Sequence, residues 1–343
     1  MRAHLRTAIV LALTALLLAW FLRHANLADV WSEIRQGNWW LLAAALAVQV
    51  ATWFFRTVRW CYLLRPLGNV RFSSAFEATM IGFAAITLLP ARAGEVIRPY
   101  FLARRENLSA SAAFGTVVVE RLLDLTTVLI LFAGVVLLSR PPEGAADPGV
   151  YRAMQTGAVI LGGGALVGLA VLFILAGRPE RIAAIVGQVG RILPARATAA
   201  LASVAGRFTT GLAIVRQPQR LLIALLLSFP LWLAIALGIW WGARAFHIEL
   251  PLTGSLVLMA LLVVGVSVPT PGGVGGYHEA FRIGATALYA APNNRAVSAA
   301  IVLHAISFVP ITVVGLTMMT REGLNLGRVR DLARRSGDGQ EQP

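Results

Sequence analysis

The chain has 343 residues, of which 57% are hydrophobic and 13% charged, and its mean hydropathy is +0.73. A soluble domain carries about 25% charged residues, so an ordinary water-soluble fold is excluded. The 30 basic residues other than histidine are all arginine and the formal net charge is +14, but the arginines gather at the ends of apolar runs, where they act as topology and lipid-headgroup signals rather than as a nucleic-acid surface.

The first apolar run, Leu5 to Leu22, follows Arg2, carries Arg6 at its start, and reads as a retained span, since Arg23-His24 comes next without a small-x-small cleavage site. Trp39 to Val58 is the second span. Ser73 to Pro90 is equally apolar but runs into Leu89-Pro90-Ala91-Arg92-Ala93-Gly94-Glu95-Val96-Ile97-Arg98. Proline and glycine free backbone groups that lipid cannot satisfy, so such a segment must be covered by protein or line a water-filled cavity. A second helix-compatible piece follows, and 73–105 reads as a re-entrant helical hairpin. Spans at Ala112 to Leu138 and Thr156 to Ala176 come next.

The stretch 178–219 is rich in arginine against one acid, Glu180, and is expected in the cytoplasm. Ile182, Ile185, Val186, Val189, Ile192 and Leu193 form one apolar stripe, and Leu201, Val204, Phe208, Leu212 and Val215 a second. Such amphipathic helices lie on anionic lipid or pack against the ends of the spans. Leu221 to Trp241 is a span, and Pro251 to Asn294 a second hairpin around Ser267-Val268-Pro269-Thr270-Pro271-Gly272-Gly273-Val274-Gly275-Gly276-Tyr277-His278-Glu279. Ala296 to Thr320 is the last span, and 321–343 is expected to be a basic, disordered cytoplasmic tail.

The expected fold is therefore all-α: a polytopic helical membrane protein with one transmembrane domain over 1–320, about six full spans and two re-entrant hairpins. Arginine-rich flanks place both termini and the 178–219 segment inside, while 23–38, 140–152 and 244–250 are nearly charge-balanced and face outward. This sidedness makes the first hairpin enter from the inside and the second from the outside. Hairpins of opposite orientation are what an inverted-topology repeat produces, and broken helices in corresponding positions of two halves point to a substrate site near the midplane.

Glu120, Arg121 and Asp124 interrupt the apolar run 112–138, where an ionisable group costs about 2.5 to 3.5 kcal/mol even on the mild insertion scale. Glu120 and Asp124 share one helical face, and Glu95 with Arg98 and Glu279 with Arg282 have bridging spacing. One reading is a polar cavity lined by Arg92, Glu95, Arg98, Glu120, Arg121, Asp124, Glu279 and Arg282, in which arginine grips a phosphate. The other is a set of structural ion pairs fixing helix register. Gly94 and the tip Pro271, Gly272, Gly273 and Gly275 either make sharp turns or offer backbone N–H groups to an anion. No Gly-Lys-Ser/Thr follows the second tip, so it is not a nucleotide loop. Arg56, Arg59 and Trp60 have the character of headgroup-level anchors, and His304 that of a hydrogen-bonded interior residue with proton transfer as the alternative. One cysteine, Cys61, excludes an internal disulfide and a cysteine-based metal site. No catalytic residue, metal ligand or cofactor is expected.

Arg56-Thr57-Val58-Arg59-Trp60, Leu89 to Arg98, Glu120-Arg121-Leu122-Leu123-Asp124 and Pro269-Thr270-Pro271-Gly272-Gly273-Val274-Gly275, in this order, resemble the lysylphosphatidylglycerol synthase transmembrane region, also called the flippase-like family. The resemblance spans roughly 1–320 and implies a polytopic inner-membrane protein that moves a phospholipid, polyisoprenoid or related lipid between leaflets. Its expected partners are membrane lipids with anionic headgroups and lipid-synthesis enzymes. The aminoacyl-transferase domain of bifunctional members has no counterpart in these residues, so lipid synthesis is not expected. Two alternatives stay open: a non-transporting accessory subunit of a lipid or lipid-linked glycan pathway, and a membrane enzyme acting on a lipid-linked donor.

Overall fold

The computed structural model describes residues 2–23, 25–89, 93–138, 211–268 and 270–322, with isolated positions between 149 and 210. The described residues are helical, with no strand among them. In chain order they form α1 (Arg2–Leu22), α2 (Leu27–Gln36), α3 (Trp39–Leu64), α4 (Phe72–Leu88), α5 (Gly94–Glu106), α6 (Ala110–Leu138), α7 (Pro218–Leu226), α8 (Ser228–Ala245), α9 (Leu252–Ser267), α10 (Gly276–Tyr289) and α11 (Asn293–Arg321). Trp39–Leu67, Ala110–Leu138, Pro218–Ala245 and Asn293–Arg321 are each long and apolar enough to cross a bilayer. Large apolar side chains such as Ile130, Leu226, Leu233, Val264, Ile283 and Val313 point outward from the bundle, as a lipid-facing surface requires. The protein is a polytopic helical membrane protein.

Local chemistry sets the breaks. Asn26 and Asn38 cap α2 and α3 by accepting from Ala28 N–H at 3.0 Å and Trp40 N–H at 3.1 Å. The connection expected as a loop at 23–38 thus contains a helix. The span expected at 221–241 is broken at Leu227 into α7 and α8, because Pro230 has no N–H to give the Leu226 carbonyl and its ring crowds that turn. The expected span at 156–176 lies mostly outside the described residues, as do most of 178–219 and the tail beyond 322. Of the second apolar stripe, Phe208, Leu212 and Val215 are described; Leu212 and Val215 are buried with Ile214 in one cluster with Trp60, Leu63 and Val117, and Phe208 packs half-buried against it, so this part packs on the spans.

Helix α11 serves as a ruler for the rest. At its start, Arg295 pairs with Glu33 of α2 at 3.3 Å and Ser298 donates to the Val30 carbonyl. Further along, His304 reaches the Gly272 carbonyl at the tip of the α9–α10 hairpin. Gly315 then packs on Met80 and Ala84 of α4, and Glu322, just past the end, bonds Arg105 of α5, which also holds Glu77 of α4. Over about 44 Å of helix, at 1.5 Å per residue, the second hairpin occupies the first half with its tip toward the middle. The first hairpin occupies the other half, inverted. The second tip meets the end of α4: Gly272 lies against Thr87.

The two halves repeat the same order. Helices of 26, 17, 13 and 29 residues in α3 to α6 are matched by the 28-residue α7–α8 unit followed by 16, 14 and 29 in α9 to α11. Packing repeats too: α4 against α5 as α9 against α10, and α4 against α11 as α9 against α6. Each hairpin closes on a glycine pair. A Cβ at Gly94 would fall on the Gly82 carbonyl and 2.6 Å from Ile86 N, and one at Gly276 on the Gly265 carbonyl. Gly94→Leu and Gly276→Leu are therefore expected to destabilise by about 1 to 3 kcal/mol or more through overpacking, measured by thermal unfolding in detergent. Gly134→Ala, where nothing lies within 4 Å, should be neutral or stabilising by up to about 1 kcal/mol.

Candidate functional site

Four helices converge on a buried charge cluster. Helix α3 contributes Arg56 and Arg59, one turn apart; α5 contributes Arg98; α6 contributes Glu120, Arg121 and Asp124; and α8 contributes Ser228 and Trp232, four apart on one face. Ser228 stands at the start of α8, just after the α7–α8 break, where its hydroxyl meets Arg59 Nη1 at 2.7 Å. Glu120 and Arg59 are fully buried, and Arg98 and Asp124 nearly so.

Arg98 Nη1 donates to both Glu120 oxygens at 3.0 Å. Arg121 Nη2 donates to Glu120 Oε1 at 2.9 Å, and Arg59 Nη2 approaches the same oxygen at 3.4 Å. Asp124 Oδ1 takes Arg59 Nη1 at 2.7 Å and the Trp232 indole N–H at 3.0 Å. Arg56 Nη1 sits 3.6 Å from an oxygen of each carboxylate. The Arg98 guanidinium also stacks on Trp60 at 3.8 Å, and the Trp60 indole N–H is held by Thr116. Four arginines thus surround two carboxylates for a net of +2, or +1 with Glu95, which lies in electrostatic reach of Arg121. Arg59 Nε, Arg98 Nε and Nη2, and Arg121 Nε are buried without a hydrogen-bond partner. Excess positive charge and unanswered donors in one interior place suit an anion with several acceptor oxygens.

The structure brings Arg98, Glu120, Arg121 and Asp124 together with Glu95 beside them, and places Glu279 and Arg282 elsewhere. Arg282 Nε donates to Glu279 Oε2 at 2.8 Å, Trp20 donates to Glu279 Oε1, and Arg282 Nη1 reaches Asn293. That pair has the i, i+3 spacing expected for it, whereas Arg98 crosses to α6. Arg92 lies outside the described residues. Gly94 is a close-packing position. Gly272, Gly273 and Gly275 hold φ of +60°, +68° and +86°, a region other residues enter only at a cost, and Pro271 opens their short 3₁₀ turn. The N–H groups of Gly273, Val274 and Gly275 are bonded to Thr270, Pro271 and His278, so this tip holds itself.

Arg56, Arg59 and Trp60 correct the sequence reading. Arg59 and Trp60 are fully buried and Arg56 nearly so, inside the bundle and not at a headgroup belt. The available signal was charge bookkeeping: two carboxylates on one face of α6 need more cations than Arg121 supplies. Glu120→Gln strands its arginines and is expected to lower stability by about 3 to 5 kcal/mol. Adding Arg98→Met should recover part of that loss, because the two residues are coupled. Glu33→Gln, in the part-exposed pair with Arg295, should cost at most about 1 kcal/mol. Thermal unfolding of detergent-purified variants checks all three.

Residues 7–315 match the family described as the lysylphosphatidylglycerol synthase TM region. The chain is 29% identical over 334 residues to a protein named glycosyltransferase AglD from Haloferax volcanii, an alignment covering 89% of this chain and 52% of that protein. It is also 32% identical over 91 residues to a UPF0104 membrane protein of Methanocaldococcus jannaschii, 26% of each. The chain spans about half the length of the AglD relative.

Proposed function

This chain belongs to the lysylphosphatidylglycerol synthase TM region family, and from that premise we propose that it translocates a lipid, a phospholipid, polyisoprenoid or related species, between leaflets of the cytoplasmic membrane, with both termini in the cytoplasm. The observation that carries this reading is the interior cluster of Arg56, Arg59, Arg98 and Arg121, more positive than its carboxylates neutralise and with donors left over. A charge cluster inside a membrane protein is costly and marks a substrate path by default. The chemistry is that of a headgroup phosphate: arginine presents a planar fork that two phosphate oxygens can accept. Glu120 and Asp124 act as counter-ions that hold the arginines in place while the site is empty, since both carboxylates already carry arginine partners.

The hairpins supply a route. The second tip reaches the middle of α11 and abuts the end of α4, so a headgroup leaving one leaflet meets irregular backbone covered by protein there, not lipid-exposed backbone. We propose a gradient or a coupled ion as the source of direction.

A second reading draws on the AglD alignment: a membrane region serving a lipid-linked glycan pathway without moving lipid itself. The two separate in reconstituted vesicles carrying a fluorescent phospholipid or a labelled polyisoprenyl phosphate. Translocation predicts a leaflet exchange rate that falls about tenfold to a hundredfold in Arg98→Gln, the loss of one or two charged hydrogen bonds at about 1.5 to 3 kcal/mol, provided the variant stays folded by gel filtration. Arg295→Gln should leave the rate unchanged. Equal rates in wild type, Arg98→Gln and protein-free vesicles favour the accessory role.

A further inference from the structure

The charge cluster leaves one pair of titratable groups unused, the buried His278 and the half-buried His304. His278 of α10 and His304 of α11 bring their rings to 4.5 Å between centroids at the second tip. His304 Nε2 meets the Gly272 carbonyl at 2.9 Å; a carbonyl only accepts, so that nitrogen carries a proton. The Gly275 N–H points at His278 Nδ1 at 3.2 Å; an N–H only donates, so that nitrogen carries none, and His278 is neutral. The two imidazoles therefore hold the two ends of one turn, the carbonyl side through α11 and the N–H side through α10. Around them stand Phe21 of α1, Tyr277 of α10 and Phe308 of α11. The nearby charges are engaged elsewhere: Glu279 with Arg282 and Trp20, and Arg23 over Trp20. From α4 the neighbour is Thr87, against Gly272.

We propose that the His278–His304 pair is a proton-binding site that latches the second tip, and that proton uptake there releases it. One proton from water adds to His278 Nδ1, which turns that nitrogen into a donor and breaks the Gly275 N–H bond. The imidazolium then faces a second imidazole among aromatic rings, and the ring swings out toward water. The closed tip excludes the proton because the lone pair is occupied, while the open tip exposes it. The open form binds more protons, so lowering pH favours opening, by up to about tenfold per pH unit for one proton. Because Gly272 abuts Thr87 of the opposing hairpin, release parts the second tip from α4. In the translocation reading this couples lipid passage to a proton, and that consequence rests on the reading, while the latch does not.

The test separates them. In a Cys61→Ser background, Thr270→Cys at the tip is labelled with a maleimide in proteoliposomes as pH falls from about 8 to about 5, the range over which histidine responds. The same cysteine is labelled with His278→Gln added, whose amide oxygen can accept from Gly275 but cannot titrate. Their ratio cancels the thiol's own pH dependence. The latch predicts a ratio that rises severalfold on acidification, and a leaflet exchange rate that rises with it in wild type and is flat in His278→Gln. A ratio independent of pH overturns the proposal, whatever the exchange rate does. A rising ratio without lipid exchange keeps the latch and removes the transport reading. Should His278→Gln not fold, His278→Asn, whose amide oxygen can also accept from Gly275 N–H and cannot titrate, replaces it in the same comparison: a rising ratio supports the latch and a flat one overturns it.

Discussion

An ionised side chain inside hydrocarbon has to find its counter-charge within the protein, and this requirement organises the bundle. Glu120 and Asp124 sit on one face of an otherwise apolar α6. They draw Arg56 and Arg59 of α3, Arg98 of α5 and the Trp232 indole of α8 to the same point. Without those partners α6 would carry two adjacent buried carboxylates at several kcal/mol each. With them, four helices are tied together at one point by charged contacts. The α7–α8 break belongs to the same constraint, since it sets Ser228 against Arg59.

The two halves repeat in length and packing but not in chemistry. Glu120, Arg121 and Asp124 of α6 stand at the same offsets from the helix start as Leu303, His304 and Ser307 of α11. One half uses the position for charge; the other uses it to hold a glycine-rich tip, through His304 on the Gly272 carbonyl. Lipid headgroup and coupling proton would thus have separate homes on either side of a pseudo-symmetric centre.

The long apolar helices, both Pro/Gly hairpins and the charged triplet of α6 were legible in the sequence because periodicity, length and backbone chemistry are local signals. Opposite hairpin orientation followed from arginine distribution and is carried in the structure by the contacts along α11. What local signals do not carry is where a long side chain turns. Arg56 and Arg59 stand near the end of a span, where an arginine can snorkel to headgroups or bend inward with equal ease, and partners some sixty residues away on α6 decide. Likewise Glu279 and Arg282 have the composition of the main cluster but face α1, through Trp20. Leu227 looks like the middle of a span, and only the backbone cost of Pro230 three residues later marks the break.

The central claim is that the excess arginine of the interior binds an anionic lipid headgroup. Native mass spectrometry of the protein released from mild detergent measures this directly, by the lipids that remain bound to wild type and to a folded Arg59→Gln, Arg98→Gln variant. The account predicts a phosphate-bearing lipid retained by wild type and depleted in the variant. Equal retention by both, or retention of neutral lipid alone, would contradict it.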